Sequence, residues 1–141
     1  MAADALHFRF IVDGENFTSA GEASVEVKKK LRQLGFAPEV IRRVSIAMYE
    51  GEINMVIHAG GGEAEITVDP DRIVIVLEDH GLGIADIELA MQEGYSTAPD
   101  NIRSLGFGAG MGLPNMKRYT DEMKIESELG QGTKITMVVN V

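Results

Sequence analysis

The chain has 141 residues, of which 22 are acidic, 13 are basic and none is cysteine, and its formal net charge is −9. This length fits a single domain over residues 1–141 that can bury a core of its own. The excess of acidic over basic residues argues against a nucleic-acid binder and against a protein that binds anionic lipids. No apolar run reaches the roughly 18 residues of a membrane span, and no signal-peptide pattern opens the chain. Because the lack of cysteine excludes disulfides and fits a reducing compartment, we expect a cytoplasmic protein.

Hydrophobic periodicity and turn residues predict an α/β domain. In chain order they predict a strand over 6–12, a helix from the capping pattern of Ser19 and Glu22 to Leu34, a helix over 38–59, strands over 63–68 and 72–77, a short helix over 86–93, a helix over 113–120, and strands over 123–128 and 133–139. The strand over 72–77 is rich in β-branched residues, which predicts a central strand buried on both faces. The element order favours a mixed sheet with its helices packed on one face.

The helix over 38–59 carries polar residues inside its apolar stripe. Glu50, Asn54 and His58 follow one another at a spacing of four, so they share one face of the helix. The other neighbours of Glu50 on that face are apolar, namely Ile46, Ala47 and Ile53. Burying a carboxylate and a carboxamide there is costly unless they gain partners, so the pattern indicates a ligand, a metal ion or catalysis. His58 receives no role, and Glu52 is expected to face solvent.

Gly51 lies inside the predicted helix over 38–59, where glycine is unfavourable. Glycine there costs ~1 kcal/mol relative to alanine. Its presence indicates close packing of the helix against a neighbouring element.

Two glycine clusters follow the central strand. Asp79-x-Gly81-x-Gly83 comes directly after it, and Gly106–Leu113 comes directly before the helix over 113–120. Glycines let the backbone approach a ligand, and glycines that open a helix suit phosphate. Neither cluster has the spacing of a P-loop or of a dinucleotide-binding turn. The segment over 94–112 is long for a loop, which favours a functional role.

These features, together with Gly130-Gln131-Gly132-Thr133, occur in an order that resembles a known fold. They resemble the ATP-binding fold shared by DNA gyrase, heat-shock protein ninety, mismatch-repair MutL proteins and histidine kinases. That resemblance implies a two-layer α/β sandwich of the Bergerat type, with ATP or ADP and Mg²⁺ as cofactors.

A narrower resemblance covers nearly the whole chain and is specific from Glu50 onward. Gly94–Thr97, Gly108–Pro114 and Met116–Arg118 resemble the small anti-sigma and serine-kinase proteins of bacterial partner-switching pathways, most closely the RsbT-type switch kinases. The resemblance implies a protein serine/threonine kinase that phosphorylates a small STAS-type antagonist protein, with a sigma factor or a phosphatase as a further partner. It leaves open a nucleotide-sensing binding module with little catalysis, and a homodimer.

The resemblance also implies roles for individual residues. Glu50 would be the general base, and Asn54 would coordinate Mg²⁺ through its carboxamide oxygen. Asp79 would accept a hydrogen bond from the adenine amino group. The remaining nucleotide-binding positions would be Gly81, Gly83, Thr97, Gly108, Gly110, Met111, Gly112, Leu113 and Thr133. Arg103 or Lys117 would meet the charge of the γ-phosphate.

Each of these residues also has a purely structural alternative. In the alternative for Glu50 the helical phase is shifted and the residue is a surface carboxylate. In the separate alternative for Asn54 it is a core amide with its hydrogen bonds satisfied. Asp79 caps a turn, and the run over 106–112 is only a loop.

Overall fold

The described residues form five β-strands and three α-helices. The structure is a computed structural model, and it describes residues 5–13, 21–81, 83, 91 and 112–141. The elements are β1 (Leu6–Asp13), α1 (Glu22–Gln33), α2 (Pro38–Ala59), β2 (Gly61–Val68), β3 (Arg72–Glu78), α3 (Gly112–Arg118), β4 (Glu122–Glu128) and β5 (Gly132–Asn140). These confirm the predicted elements within the described ranges. The helix predicted over 86–93 lies outside them.

The strands form one sheet in the order β1-β2-β3-β5-β4. All four neighbouring pairs are antiparallel, so over these strands the sheet is antiparallel rather than mixed. The reason is the position of β5. The crossover through α3 makes β4 run in the same direction as β3, but β5 lies between the two, so they form no parallel ladder. This order sets the end of β3 beside the start of β5.

The core lies between the sheet and the helices. In β3, Ile73, Ile75 and Leu77 are fully buried beneath the helical layer, whereas Val74 and Val76 on the opposite face are only half-buried. The strand is central, as predicted, but buried on one face only, because the described helices all pack on that face. None of the described helices is long and apolar enough to span a membrane.

Helix α2 is the centre of the helical layer. It begins with proline in its first turn and ends at Gly60, which adopts the left-handed conformation that terminates helices. Gly51 lies against the sheet, where a Cβ atom would overlap Leu77 Cδ1 and would come within 3.2 Å of Met116 Cε. The close packing predicted from Gly51 is therefore confirmed. It brings α2 close to the last residues of β3 and close to α3.

Glu52 is buried and binds the start of α1. Only 2% of its surface is exposed. Its Oε2 accepts hydrogen bonds from the backbone N–H groups of Gly21 (2.7 Å) and Ala23 (3.2 Å), and its Oε1 accepts one from Ser24 (2.8 Å). The prediction that Glu52 faces solvent was wrong, because the free N–H groups of a helix start attract a carboxylate from a neighbouring helix.

The cap of α1 also differs from the predicted capping box. Gly21 is the N-cap residue, with a φ of 99°, and Glu22 is the first helical residue. Ser19 lies outside the described residues. Within the described residues no adjacent side chain caps the helix start, and the carboxylate of Glu52 accepts hydrogen bonds from its backbone donors.

An ion pair fixes the far end of α3. Arg43 of α2 donates from Nη2 to Asp121 Oδ2 (2.7 Å) and from Nε to the carbonyl of Tyr119 (3.3 Å). The backbone N–H of Asn140 donates to the same Asp121 oxygen (2.7 Å). The Asn140 and Arg43 hydrogen bonds together lower the pKa of Asp121. The turn after α3 is thus joined to both α2 and β5.

We expect Glu52→Gln to destabilise the fold. Both oxygens of Glu52 accept hydrogen bonds. In the variant, the amide nitrogen of the glutamine must therefore replace one of these oxygens and face a backbone N–H group. The free energy of unfolding should fall by about 2–3 kcal/mol, because a buried donor loses its partner.

Urea denaturation followed by circular dichroism measures this change. The matched control is Glu26→Gln in α1, whose exposed ion pair with Lys29 spans 3.6 Å. It should change the stability by no more than about 0.5 kcal/mol. Equal stability of the two variants would contradict the role of Glu52.

We also expect Gly51→Ala to destabilise the protein although alanine favours helix formation. The added methyl group overlaps Leu77, which is fully buried and has no space to move into. Overpacking should lower the free energy of unfolding by about 1–3 kcal/mol. The gain in helix propensity should offset ~1 kcal/mol of this loss.

The control is the same change in a Leu77→Val background, where the Cδ1 methyl is absent. There Gly51→Ala should be neutral or stabilising in the same denaturation experiment. An identical loss in both backgrounds would mean that the packing at Leu77 is not the cause.

Candidate functional site

Glu50 lies on α2 and faces the start of α3. It is half-buried, and a Cβ atom at Gly112 would lie 3.7 Å from its Oε2. Burial raises the pKa of Glu50, and the Asn115 hydrogen bond opposes that rise. Glu50 is therefore not a fully solvated surface carboxylate, and a raised pKa brings it closer to the range in which a carboxylate accepts protons efficiently.

Asn54 lies one turn after Glu50 on α2. It is partly buried, and its carboxamide makes no hydrogen bond to any described residue. No buried side-chain nitrogen or oxygen of the described residues lacks a hydrogen-bond partner, so the polar atoms of Asn54 must be accessible. It is not the satisfied core amide of the structural alternative. Its oxygen is a suitable ligand for a hard cation.

Asp79 joins the end of β3 to the start of β5. Its Oδ1 accepts hydrogen bonds from the N–H groups of Gly81 (3.0 Å) and Thr133 (3.1 Å). Its own N–H donates to the Thr133 carbonyl (2.9 Å). Oδ2 accepts none from the described residues and remains accessible. Asp79 thus does hold a turn, as the structural alternative states, but with one oxygen only.

The residues beside Asp79 come from β5 and β4. Gly132 has a φ of 123°, and a Cβ atom there would overlap the Asp79 carbonyl oxygen, so only glycine fits. Thr133 is buried, and its Oγ1 lies 2.9 Å from Ser127 Oγ. Gly83 passes the end of β4, where a Cβ atom would lie 2.5 Å from the Glu128 carbonyl oxygen. The predicted association of Asp79, the glycine turn and Thr133 is present.

Other predicted residues fall into two groups. Leu113 belongs to the hydrophobic core, and Lys117 is exposed on α3. The predictions for Thr97, Arg103, Gly108, Gly110 and Met111 lie outside the described residues.

The structure brings the predicted residues together in two clusters. The Glu50 cluster consists of Glu50, Asn54 and Gly112, and the Asp79 cluster consists of Asp79, Gly81, Gly132 and Thr133. Helix α2 and strand β3 join them, because Leu77 of β3 occupies the space beside Gly51. A Cβ atom at Gly62 would also lie 3.1 Å from both Met55 Sδ of α2 and Asp79 Cα.

Sequence reasoning missed Asn115. Asn115 follows Gly112 by three residues in a helix, which places both on one face. That spacing is the feature of the sequence that places Asn115 near Glu50.

Comparisons with known proteins show the family to which the chain is similar. The sequence model of the histidine kinase-, DNA gyrase B- and HSP90-like ATPases matches residues 39–141. An anti-sigma F factor of Clostridium acetobutylicum is 35% identical over 142 residues, which cover 97% of this chain and 94% of the relative. The serine/threonine-protein kinase RsbT of Bacillus subtilis is 35% identical over 111 residues, which cover 76% of this chain and 77% of the relative.

A solved structure supports the fold. The RsbU and RsbW domains of a Mycobacterium tuberculosis protein superpose with a TM-score of 0.60 at 14% identity, over 95% of this chain and 32% of that one. The family match covers most of the chain, and the two relatives match it over more than two thirds of its length. The chain belongs to the family of histidine kinase-, DNA gyrase B- and HSP90-like ATPases.

Proposed function

We propose that the protein is a Mg²⁺- and ATP-dependent serine/threonine kinase that phosphorylates a small STAS-type antagonist protein in a partner-switching pathway. The observation that carries the proposal is Glu50, a half-buried carboxylate with a raised pKa beside the first residue of α3. A histidine nucleophile needs no base of this kind. A hydroxyl nucleophile does, because its proton must leave as the oxygen attacks.

In this reaction Glu50 accepts the proton of the serine or threonine hydroxyl. The oxygen forms a bond to the γ-phosphorus, the bond to the bridging oxygen breaks, and ADP leaves. Positioning and charge stabilisation supply most of the acceleration in such transfers. Glycines at positions 108, 110 and 112 would present backbone N–H groups to the phosphates.

Asn54 would hold the metal ion. Its carboxamide oxygen is accessible and has no partner among the described residues, which fits a hard cation that prefers oxygen ligands. Mg²⁺, when bound, would neutralise phosphate charge. Asn54 is one helical turn from Glu50, so the metal ligand and the base would act on the same phosphate group.

Asp79 would recognise adenine. Its Oδ1 is occupied by backbone donors, and the accessible Oδ2 is left to accept a hydrogen bond from the adenine amino group. Guanine has a carbonyl oxygen at that position, which would face another acceptor. The site should therefore prefer ATP over GTP.

The relatives suggest a second candidate function. One relative carries the name of an anti-sigma F factor and matches 97% of this chain. This favours nucleotide-dependent binding of a sigma factor, either beside the kinase reaction or in place of it. A stable complex with a sigma factor that depends on ATP, without any phosphorylated protein, would favour this candidate alone.

We expect Asp79→Asn to weaken ATP binding without unfolding the protein. The asparagine Oδ1 keeps both backbone contacts, but its amide nitrogen replaces Oδ2 and faces the adenine amino group. Calorimetric titration should show a Kd for Mg·ATP that is about ten- to a hundredfold higher, because a charged hydrogen bond is replaced by two opposed donors. Binding of Mg·GTP should improve relative to Mg·ATP.

The control is Asp71→Asn, in the exposed turn between β2 and β3, which should bind Mg·ATP as the wild type does. Unchanged ATP binding in folded Asp79→Asn would remove Asp79 from the site. No binding by the folded wild type would overturn the proposed function.

We expect Glu50→Gln to abolish phosphoryl transfer while ATP binding persists. Glutamine keeps the size and the contact to Asn115 but cannot accept the proton, so transfer should fall about 10²–10⁴-fold. In the wild type, transfer should decline as the pH falls through the raised pKa of Glu50, at a higher pH than for an ordinary glutamate.

Labelled ATP and a STAS-type antagonist protein measure the transfer, and calorimetry measures the binding. Glu39→Gln, at the exposed start of α2, is the matched control and should transfer phosphate normally. Full activity of Glu50→Gln would show that another group is the base.

A further inference from the structure

The charges of the protein are divided between its two layers. The three described helices carry eight basic and five acidic side chains. The five described strands carry four basic and seven acidic ones. Of the five acids on the helices, Glu52 is buried against α1 and Glu50 is half-buried. The helical layer therefore presents a positive surface on a chain whose formal net charge is −9.

Part of this positive surface is a stripe along α1. The α1 stripe consists of Val25, Lys28, Lys29 and Arg32. Their spacings of three and four residues place all four on one side of the helix, and all four are exposed. Among the described residues the stripe has one ion pair, between Lys29 Nζ and Glu26 Oε1 (3.6 Å). An exposed pair of this kind contributes little, so the cations can bind another anionic surface.

An aromatic ring lies at the start of the α1 stripe. Tyr49 of α2 is 42% exposed, and a Cβ atom at Gly21 would come within 2.8 Å of its Cε1. The ring therefore packs directly on the backbone at the start of α1. The N–H of Gly21 also donates to Glu52 Oε2 (2.7 Å), which holds this contact in place. Val25, one helical turn after Gly21, is 50% exposed and lies on the same side of α1 as the ring.

A tyrosine held in this way suits recognition of another protein. Single exposed apolar residues are common and carry no inference alone. Here the ring is fixed against backbone, so it loses little conformational entropy when a partner covers it, and tyrosine is enriched among the residues that dominate interface energies. The ring also adjoins the α1 stripe, and Tyr49 directly precedes Glu50. An apolar anchor, a row of cations and the proposed base are therefore neighbours.

We propose that Tyr49 and the α1 stripe form the docking surface for the protein substrate, and that this partner presents a surface rich in carboxylates. The inference rests on the proposed function of Glu50. Tyr49 and Glu50 are about 100° apart around α2, so a protein that covers the ring lies beside the base. The cations of α1 attract an acidic surface, and the acidic strands repel it, which directs the partner to the helical layer.

The first test compares the removal of two charges from each layer. Lys28→Gln with Arg32→Gln changes the α1 stripe, and Lys124→Gln with Lys134→Gln is the matched control on the sheet. All four side chains are exposed, so both double variants should fold, which circular dichroism checks. Calorimetry with Mg·ADP present measures the Kd for the STAS-type antagonist protein. This Kd should rise about fivefold or more in the α1 variant and stay within about twofold in the control.

The second test removes the ring. Tyr49→Ala should raise the Kd for the antagonist about tenfold or more, because a fixed aromatic anchor is lost. The matched control is Ile11→Ala on β1, whose side chain is 71% exposed, and its Kd should equal that of the wild type. In the transfer reaction Tyr49→Ala should raise the KM for the antagonist, whereas the Kd for Mg·ATP should stay within about twofold.

The outcomes separate this inference from the function on which it rests. An unchanged antagonist Kd in both folded helical-layer variants would overturn the docking surface and leave the proposed function intact. A wild type that binds the antagonist but transfers no phosphate would overturn the proposed function and leave the surface as a binding site. If the variants change only the sedimentation of the protein alone, or only its binding of a sigma factor, the surface serves a second copy or that factor, and the proposal is wrong.

Discussion

The absence of a side chain at Gly51 determines how closely α2 approaches the sheet. Leu77 fills the space where a Cβ atom would lie, and Met116 closes it from the side of α3. Gly51 is next to Glu50, and Leu77 is two residues before Asp79. A single contact therefore sets the helix that carries Glu50 against the strand that ends in the Asp79 turn. The helix gives up ~1 kcal/mol of propensity at this glycine, and the close approach of the two clusters depends on it.

Glu50 and Glu52 show how one residue type serves two purposes. They are two residues apart, so they project from different sides of α2. Glu52 meets three backbone donors and is chemically inert. Glu50 meets one amide and is partly desolvated, so its folded-state pKa is raised. The stability linked to its protonated form is present at acid pH and is lost as the pH rises through that raised pKa. An ionised Glu50 thus works against folding, which fits the catalytic role proposed for it.

Local patterns were sufficient to predict much of the fold and part of the site. The four-residue spacing of Glu50 and Asn54 depends only on helix geometry, and Asp79 with its glycines depends only on a strand end. The partner of Glu52 was not predictable in this way. The backbone N–H groups that it binds lie 28–31 residues earlier in the chain. No local periodicity indicates which helix start lies next to which carboxylate. The strand order was not predictable for the same reason, because the insertion of β5 between β3 and β4 is a long-range pairing.

Helix α3 is the element through which nucleotide and base would influence each other. Its far end is held by Arg43 through Tyr119 and Asp121, so the helix cannot translate freely as a whole. Its near end begins at Gly112, beside Glu50. The far end of α3 is therefore fixed to α2 by an ion pair, whereas its near end adjoins the glycine run for which phosphate binding is proposed.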